Sequence, residues 1–301
     1  MTAVLTRTGP SRQRAYREMA LAALLWGTIG PAAAFVADHT ALSPIQTSLW
    51  RLIVAVIPLA AIALVVGRRA ARPSGALVFG GLAVGAVTGM SQLSYFAAVV
   101  ESGIAIPTLI ACGLGPILTA VGQTVLFGDR PDARTLLALA VALGGLVLLM
   151  LDSPHTVTAL GIVLSVISAV TYAGYALSVG PVSRGMSTIN LTAIATVGGA
   201  LAILPFTVAD GGPGIPGTAA GWAGILHLGI IVSCVAYALY YSSARTLPST
   251  HITILILLEP LVAALLAVVF FDEHLTVGTI GGGVLMLAAV AGLSGHDDDP
   301  R

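Results

Sequence analysis

The chain has 301 residues, 57% of them hydrophobic and only 9% charged, with a formal net charge of zero and a mean hydropathy of +0.99. Soluble domains carry roughly 25% charged residues, so the composition excludes a water-soluble globular protein and points to a polytopic membrane protein. Zero net charge also gives a nucleic-acid partner no electrostatic support, and with every basic residue an arginine there is no lysine to build a P-loop for ATP.

A hydrocarbon core is crossed by about 20 apolar residues of helix. Runs of that kind recur along the chain at 19–37, 45–66, 76–100, 103–127, 135–151, 159–180, 189–209, 219–243, 251–271 and 276–294. The fold class expected is all-α and integral to the membrane, with ten transmembrane helices. Arginines precede the first run, but the run is longer than a signal-peptide core, so it is read as a retained span. The breaks carry turn chemistry: Asp38 to Pro44, Arg68 to Pro73, Gly128 to Asp132, Asp152 to Pro154 and Asp210 to Pro216. The weakest are Glu101-Ser102-Gly103 and Arg245 to Ser249.

The arginines orient this chain. With the N-terminus in the cytoplasm, Arg7, Arg12, Arg14, Arg17, Arg68, Arg69, Arg72, Arg130, Arg134, Arg184, Arg245 and Arg301 all fall inside. The outer connections hold Asp38, Glu101, Asp152, Asp210, Asp272 and Glu273 and no arginine. That bias is complete for ten spans with both termini inside, and adding or losing one span would scramble it. Abundant Ala, Gly and Val with arginine in place of lysine fits a GC-rich bacterial genome, hence a bacterial cytoplasmic (inner) membrane. Cys112 and Cys234 lie in apolar runs and read as free thiols.

The chain also repeats. "GPILTAVGQTVLFGDRPDARTL" from Gly115 and "EPLVAALLAVVFFDEHLTVGTI" from Glu259 align so that Pro116 meets Pro260 and Asp129 meets Glu273, both pairs 144 residues apart. "SYFAA" and "LYYSS" fall one span earlier in each copy, and "LLWGT" matches "VTYAG". Two halves of five spans each place the second half upside down relative to the first. Inverted repeats are the architecture of secondary transporters, with a solute site near the midplane at the repeat interface. The organisation expected is 1–18 as a cytoplasmic segment, 19–151 and 152–294 as the repeats, and 295–301 as a solvated cytoplasmic tail.

"LLWGTIGP", "SLWRLIVA" with Arg51, "YFAAVVESGIAIPTLIACGLGPILTAVGQTVLFGD" and "LLEPLVAALLAVVFFDEHLTVGTIGG" together resemble the EamA branch of the drug/metabolite transporter superfamily. The resemblance covers about residues 19–293. It implies ten helices in two inverted repeats around a central cavity, and a role in moving amino acids, other metabolites or drugs. The family usually ends its fourth span Gly-Glu; here the pair is Gly128-Asp129.

Several residues stand out as cavity or coupling candidates. Glu259 lies in the middle of the ninth apolar run, where a carboxylate costs roughly 2.5–3.5 kcal/mol on insertion scales. It is read as a proton carrier, a counter-ion for a substrate amine, or a group that only stabilises the bundle. Pro260 lacks an N–H and frees a carbonyl one turn earlier, which suits a kinked cavity wall. Gly30-Pro31 and Gly115-Pro116 are further hinge candidates. Arg51 is read as a structural charge, with a substrate carboxylate or a snorkelling position as alternatives.

Gly81, Gly85 and Gly89 form a small-residue row for close helix packing, and Gln92 and Tyr95, beside Phe96, form a polar patch beyond it. His227, Cys234 and Tyr241 recur every seven residues, with Tyr237 one turn from Cys234. With Trp26, Tyr172 and Tyr175, these polar-tipped aromatics away from the interfacial belts suggest a cavity for an amphipathic solute. The alternative is ordinary helix packing. His227 with Cys234 is too small a set for a metal, and no cofactor is called for. Asp129, Glu273 and His274 read as span-end caps.

The function expected is a secondary transporter, exporting small metabolites by alternating access, with proton coupling through Glu259 open beside facilitated diffusion. An intramembrane enzyme and a non-transporting scaffold are the other classes. Solute flux or peptide turnover would separate them.

Overall fold

The computed structural model describes residues 11–67, 73–151, 158–270 and 276–294. Readings on Arg7, Arg68, Arg69, Arg72, Asp152, Asp272, Glu273, His274, Arg301 and the tail from Gly295 lie outside the described residues.

The ten apolar runs form helices, and no strand occurs among the described residues. α1 is Arg12–His39, in two pieces, Arg12–Trp26 and Ile29–His39. α2 is Pro44–Gly67, α3 Gly75–Ser102, α4 Ala105–Phe127, α5 Ala133–Met150, α6 Ala159–Gly185 and α7 Thr188–Ala209. α8 is Ala219–Ser243, α9 Ser249–Phe270 and α10 Val277–Ser294. The first nine are each long and apolar enough to span a bilayer, and α10 adds the shorter apolar helix Val277–Leu293.

Local chemistry explains where these helices start and stop. Ser11, Ser74, Asp132, Thr158, Ser187 and Thr218 precede α1, α3, α5, α6, α7 and α8, and each side chain accepts a backbone N–H of the first turn. Hydrogen bonds from the Thr135 side chain and backbone hold the Asp132 carboxyl below its usual range, so it caps as the anion. Gly103 (φ 71°) and Gly128 (φ 69°) end α3 and α4 in the left-handed region that favours glycine. The two weakest breaks are real turns: α3 gives way to α4 at Gly103, and Arg245 between α8 and α9 donates to the carbonyls of Ser183 and Met186, both at 2.7 Å.

The packing is paired as a two-fold repeat requires. α2 lies against α7 and α5 against α10; α3 packs on α6 and α7, as α8 packs on α1 and α2; α4 packs on α6, as α9 packs on α1. Small residues permit the closest crossings. At Gly85 a β-carbon would sit 1.8 Å from the Ala195 carbonyl oxygen, and at Gly198 one would sit 2.2 Å from that of Leu82. Gly145 and Gly282 face each other the same way across α5 and α10. The lipid-facing surface carries exposed apolar side chains such as Ile57, Leu64, Phe79, Val125 and Val269.

Within three of the repeat-related helix pairs the two members differ in regularity. α3, α4 and α6 are continuous, whereas their counterparts α8, α9 and α1 are each interrupted near the middle. α1 breaks at Gly27-Thr28, not at the expected Gly30-Pro31. The reason is that Pro31 lacks the N–H that would bond the Gly27 carbonyl, and its ring crowds that carbonyl. Pro260 acts likewise on Ile256, and α9 is split at Leu257. Pro116 leaves α4 unbroken. α8 holds a π-helical stretch, His227–Ala236, between two α-helical ends.

Candidate functional site

The interrupted helices bring most of the sequence candidates together at mid-membrane. The break in α1 leaves Trp26 at the end of a helical piece. There its ring meets Tyr237 (5.0 Å between centroids) and Tyr240 (5.5 Å) from α8. Tyr240 touches Tyr175 at 6.0 Å, and Tyr175 meets Tyr172 edge-on at 5.2 Å. Tyr241 packs on Tyr237 and Tyr240. Gln92 of α3 donates to the Tyr237 hydroxyl at 2.7 Å, and Tyr95 shares a 2.6 Å hydrogen bond with Thr108 of α4. A continuous aromatic wall therefore links α1, α6 and α8.

Glu259 sits beside this wall. Arg51, Tyr95, Cys112, Tyr172, Tyr175 and Tyr237 are its polar neighbours. The residue is partly accessible rather than sealed in the core. Arg51 is in electrostatic range, but no direct ion pair joins the two; the pair formed between described residues is Arg14–Glu18 at 2.7 Å. The pseudo-equivalent position in the first half is Gly115, where a β-carbon would lie 2.5 Å from the Tyr172 ring. The carboxylate thus belongs to one half alone. Gly27, at the α1 break, backs onto the Glu259 carbonyl and Val262.

Not every candidate joins the cluster. The seven-residue spacing of His227, Cys234 and Tyr241 predicts a shared face on a regular helix, but the π turn adds a residue and rotates them apart. His227 hydrogen-bonds Thr28 at the α1 break (2.9 Å), Cys234 packs with Ala55 and Leu59 of α2, and Tyr241 joins the aromatics. Among the described residues no group of three His, Cys, Asp or Glu could hold a metal. Tyr240, fully buried at the hub of the aromatic wall, and Cys112 and Thr108 were not among the sequence candidates. For Tyr240 the "LYYSS" segment was the available signal.

Two sets of polar contacts bracket the site. At the end bearing the α2–α3 connection, Tyr16 of α1 and Nδ1 of His251 lie 2.5 Å apart, and Nε2 of His251 lies 3.0 Å from the Thr135 hydroxyl. Gln123 of α4 accepts from the Thr250 backbone and hydroxyl, both at 3.0 Å, and donates to Asp129 at 2.8 Å. These contacts tie α1, α4, α5 and α9 together. At the α1–α2 end, Ser43 bonds Asp210, Gln46 donates to the Gly212 carbonyl at 2.8 Å, and Trp50 donates to the Pro213 carbonyl at 2.9 Å. A cavity of about 70 Å³ lies at that end, with Arg51 in its wall. A second, of about 20 Å³, lies by Gln92 and Tyr237.

The Tyr16–His251–Thr135 chain makes a test. Each neutral hydrogen bond contributes about 1 kcal/mol, so losing both should shift the open population at that end by about tenfold or more. Tyr16→Phe combined with His251→Ala is expected to raise the alkylation rate of Cys112 by that order in the detergent-solubilised chain, with buried Cys234 as internal reference. An unchanged rate would mean that these contacts do not close the end.

The comparisons agree with this architecture. The EamA-like transporter family matches twice, over residues 18–151 and 159–295. An uncharacterized transporter of Archaeoglobus fulgidus is 28% identical over 201 residues, 67% of this chain and 71% of its own length. The uncharacterized transporter YwfM of Bacillus subtilis is 29% identical over 204 residues, 67% of this chain and 69% of its own length. A crystal structure of a protein with 19% identity superposes with a TM-score of 0.79, covering 94% of this chain and 98% of that one, which speaks to fold alone. Two inverted five-helix halves, a membrane-spanning composition and two family matches covering nearly the whole chain lead to one conclusion: the chain belongs to the EamA-like transporter family and is a membrane transporter, not an enzyme.

Proposed function

We propose that this transporter exports small metabolites, amino acids or amphipathic compounds, by alternating access, and that protons couple to the movement through Glu259. The observation that carries the reading is the placement of Glu259: a carboxylate at mid-membrane without an ion-pair partner, beside an aromatic wall, in one half only. A carboxylate at mid-membrane is costly unless it faces a cavity or exchanges its proton. Tyrosines and Trp26 offer apolar faces with polar edges, which suits an amphipathic solute. The interrupted helices, α1 from the first half and α8 and α9 from the second, meet where the mid-membrane backbone departs from regular helix, as in transporters that rock about a central site.

In this reading the membrane is a bacterial cytoplasmic membrane and both termini are cytoplasmic, following the arginine distribution. The α2–α3 end is then the cytoplasmic side, closed by Tyr16 and His251, and the α1–α2 end the outer side. The test is uptake by proteoliposomes of a panel of amino acids and amphipathic cations. Flux above protein-free vesicles for at least one solute, accelerated by a pH gradient, is expected. Flux indifferent to the gradient would remove the proton-coupling part and leave facilitated diffusion.

A further inference from the structure

The Arg51 side chain has donors with nothing to hold. It is 3% exposed, and its Nε and Nη2 are buried without a hydrogen-bond partner. A guanidinium cannot neutralise itself by losing its proton, and a buried cation without a partner costs several kcal/mol. An arginine kept only for the fold would be expected to show a carboxylate or carbonyl across its fork, and here none is found among the described residues. The side chain instead forms part of the wall of the 70 Å³ cavity at the α1–α2 end. Thr47 and Ser48, one turn earlier on α2, lie on the same wall, and Ile29, Phe96 and Leu228 make the rest of it apolar.

We propose that Arg51 is the carboxylate-binding residue of the solute site. The guanidinium fork matches a carboxylate with two parallel hydrogen bonds, and the Thr47 and Ser48 hydroxyls supply further donors. The apolar side chains Ile29, Phe96 and Leu228 in the same wall would take the hydrocarbon part of the solute. Arg51 and Glu259 are near enough to interact but form no ion pair. The substrate class is therefore carboxylate-bearing solutes: zwitterions, whose ammonium would face Glu259, or simple monocarboxylates. This rests on the transport reading above for its purpose, but the binding claim stands or falls separately.

The experiment uses three probes with one hydrocarbon skeleton: L-leucine, 4-methylvalerate, which lacks the amine, and isoamylamine, which lacks the carboxylate. Binding to the full chain in detergent is measured by calorimetry for wild type, Arg51→Gln and Arg51→Lys, and flux of the same probes in proteoliposomes. Wild type is expected to bind at least one of the two carboxylates about tenfold or more tightly than isoamylamine. Arg51→Gln should lose that preference by about tenfold to a hundredfold, and Arg51→Lys should recover part of it. Leucine bound above 4-methylvalerate assigns the zwitterion; the reverse assigns the monocarboxylate. Isoamylamine binding as well as the carboxylates in wild type overturns the proposal without need of any variant, as does absence of carboxylate binding, or Arg51→Gln retaining the preference. Carboxylate binding without flux would leave the site standing and defeat the transport reading; flux of isoamylamine alone would do the opposite.

Discussion

Gly85→Ala is expected to prevent the chain from reaching a stable folded state. A β-carbon there would lie 1.8 Å from the carbonyl oxygen and 2.8 Å from the Cα of Ala195. Overpacking in a core costs typically 1–3 kcal/mol when side chains can turn aside. Here the obstacle is the backbone of α7, which cannot rotate away, so the cost should exceed about 3 kcal/mol. The crossing is reciprocal, since Gly198 on α7 presses on the Leu82 carbonyl of α3. α3 and α7 come from different halves, so this contact joins the repeats. Monodispersity and thermal unfolding in detergent measure the effect. Gly144→Ala, where a β-carbon meets nothing within 4 Å, should stay within about 0.5 kcal/mol of wild type. If Gly85→Ala behaves like that control, α3 and α7 do not cross as described.

The sequence was most informative where physical chemistry is local. Ten apolar runs and the glycine row Gly81, Gly85 and Gly89 act through composition and spacing, and both appear in the structure as expected; the caps Ser74, Thr158 and Thr218 are equally local but were not singled out. The prolines were legible in kind but not in place. Pro31 disturbs Gly27, four residues earlier, so the hinge lies at Gly27-Thr28, while α4 runs unbroken through Pro116. The π-helical stretch in α8 was not legible. No proline marks it, and its one-residue shift undid the grouping of His227, Cys234 and Tyr241 while moving Tyr240 to the hub of the aromatic wall. Nor could the chain alone say that Arg51 Nε and Nη2 find no hydrogen-bond partner among the described residues, because partners come from helices distant in sequence.

Glu259→Gln keeps the shape of the side chain and removes its ability to carry a charge or exchange a proton. The substitution should fold at least as well as wild type, because it relieves a carboxylate placed at mid-membrane. Its effect should fall on coupling. A gradient of one pH unit is worth about 1.4 kcal/mol per proton moved, so a one-proton exchanger concentrates solute about tenfold across it, and a carrier deprived of its proton site reaches only equality. The decisive measurement is accumulation of a transported solute in proteoliposomes under an imposed pH gradient, wild type against Glu259→Gln. The account predicts accumulation above equilibrium for wild type and, for the variant, a level that stops at equilibrium with or without the gradient. Gradient-driven accumulation by Glu259→Gln equal to wild type would contradict it and assign the carboxylate to the fold.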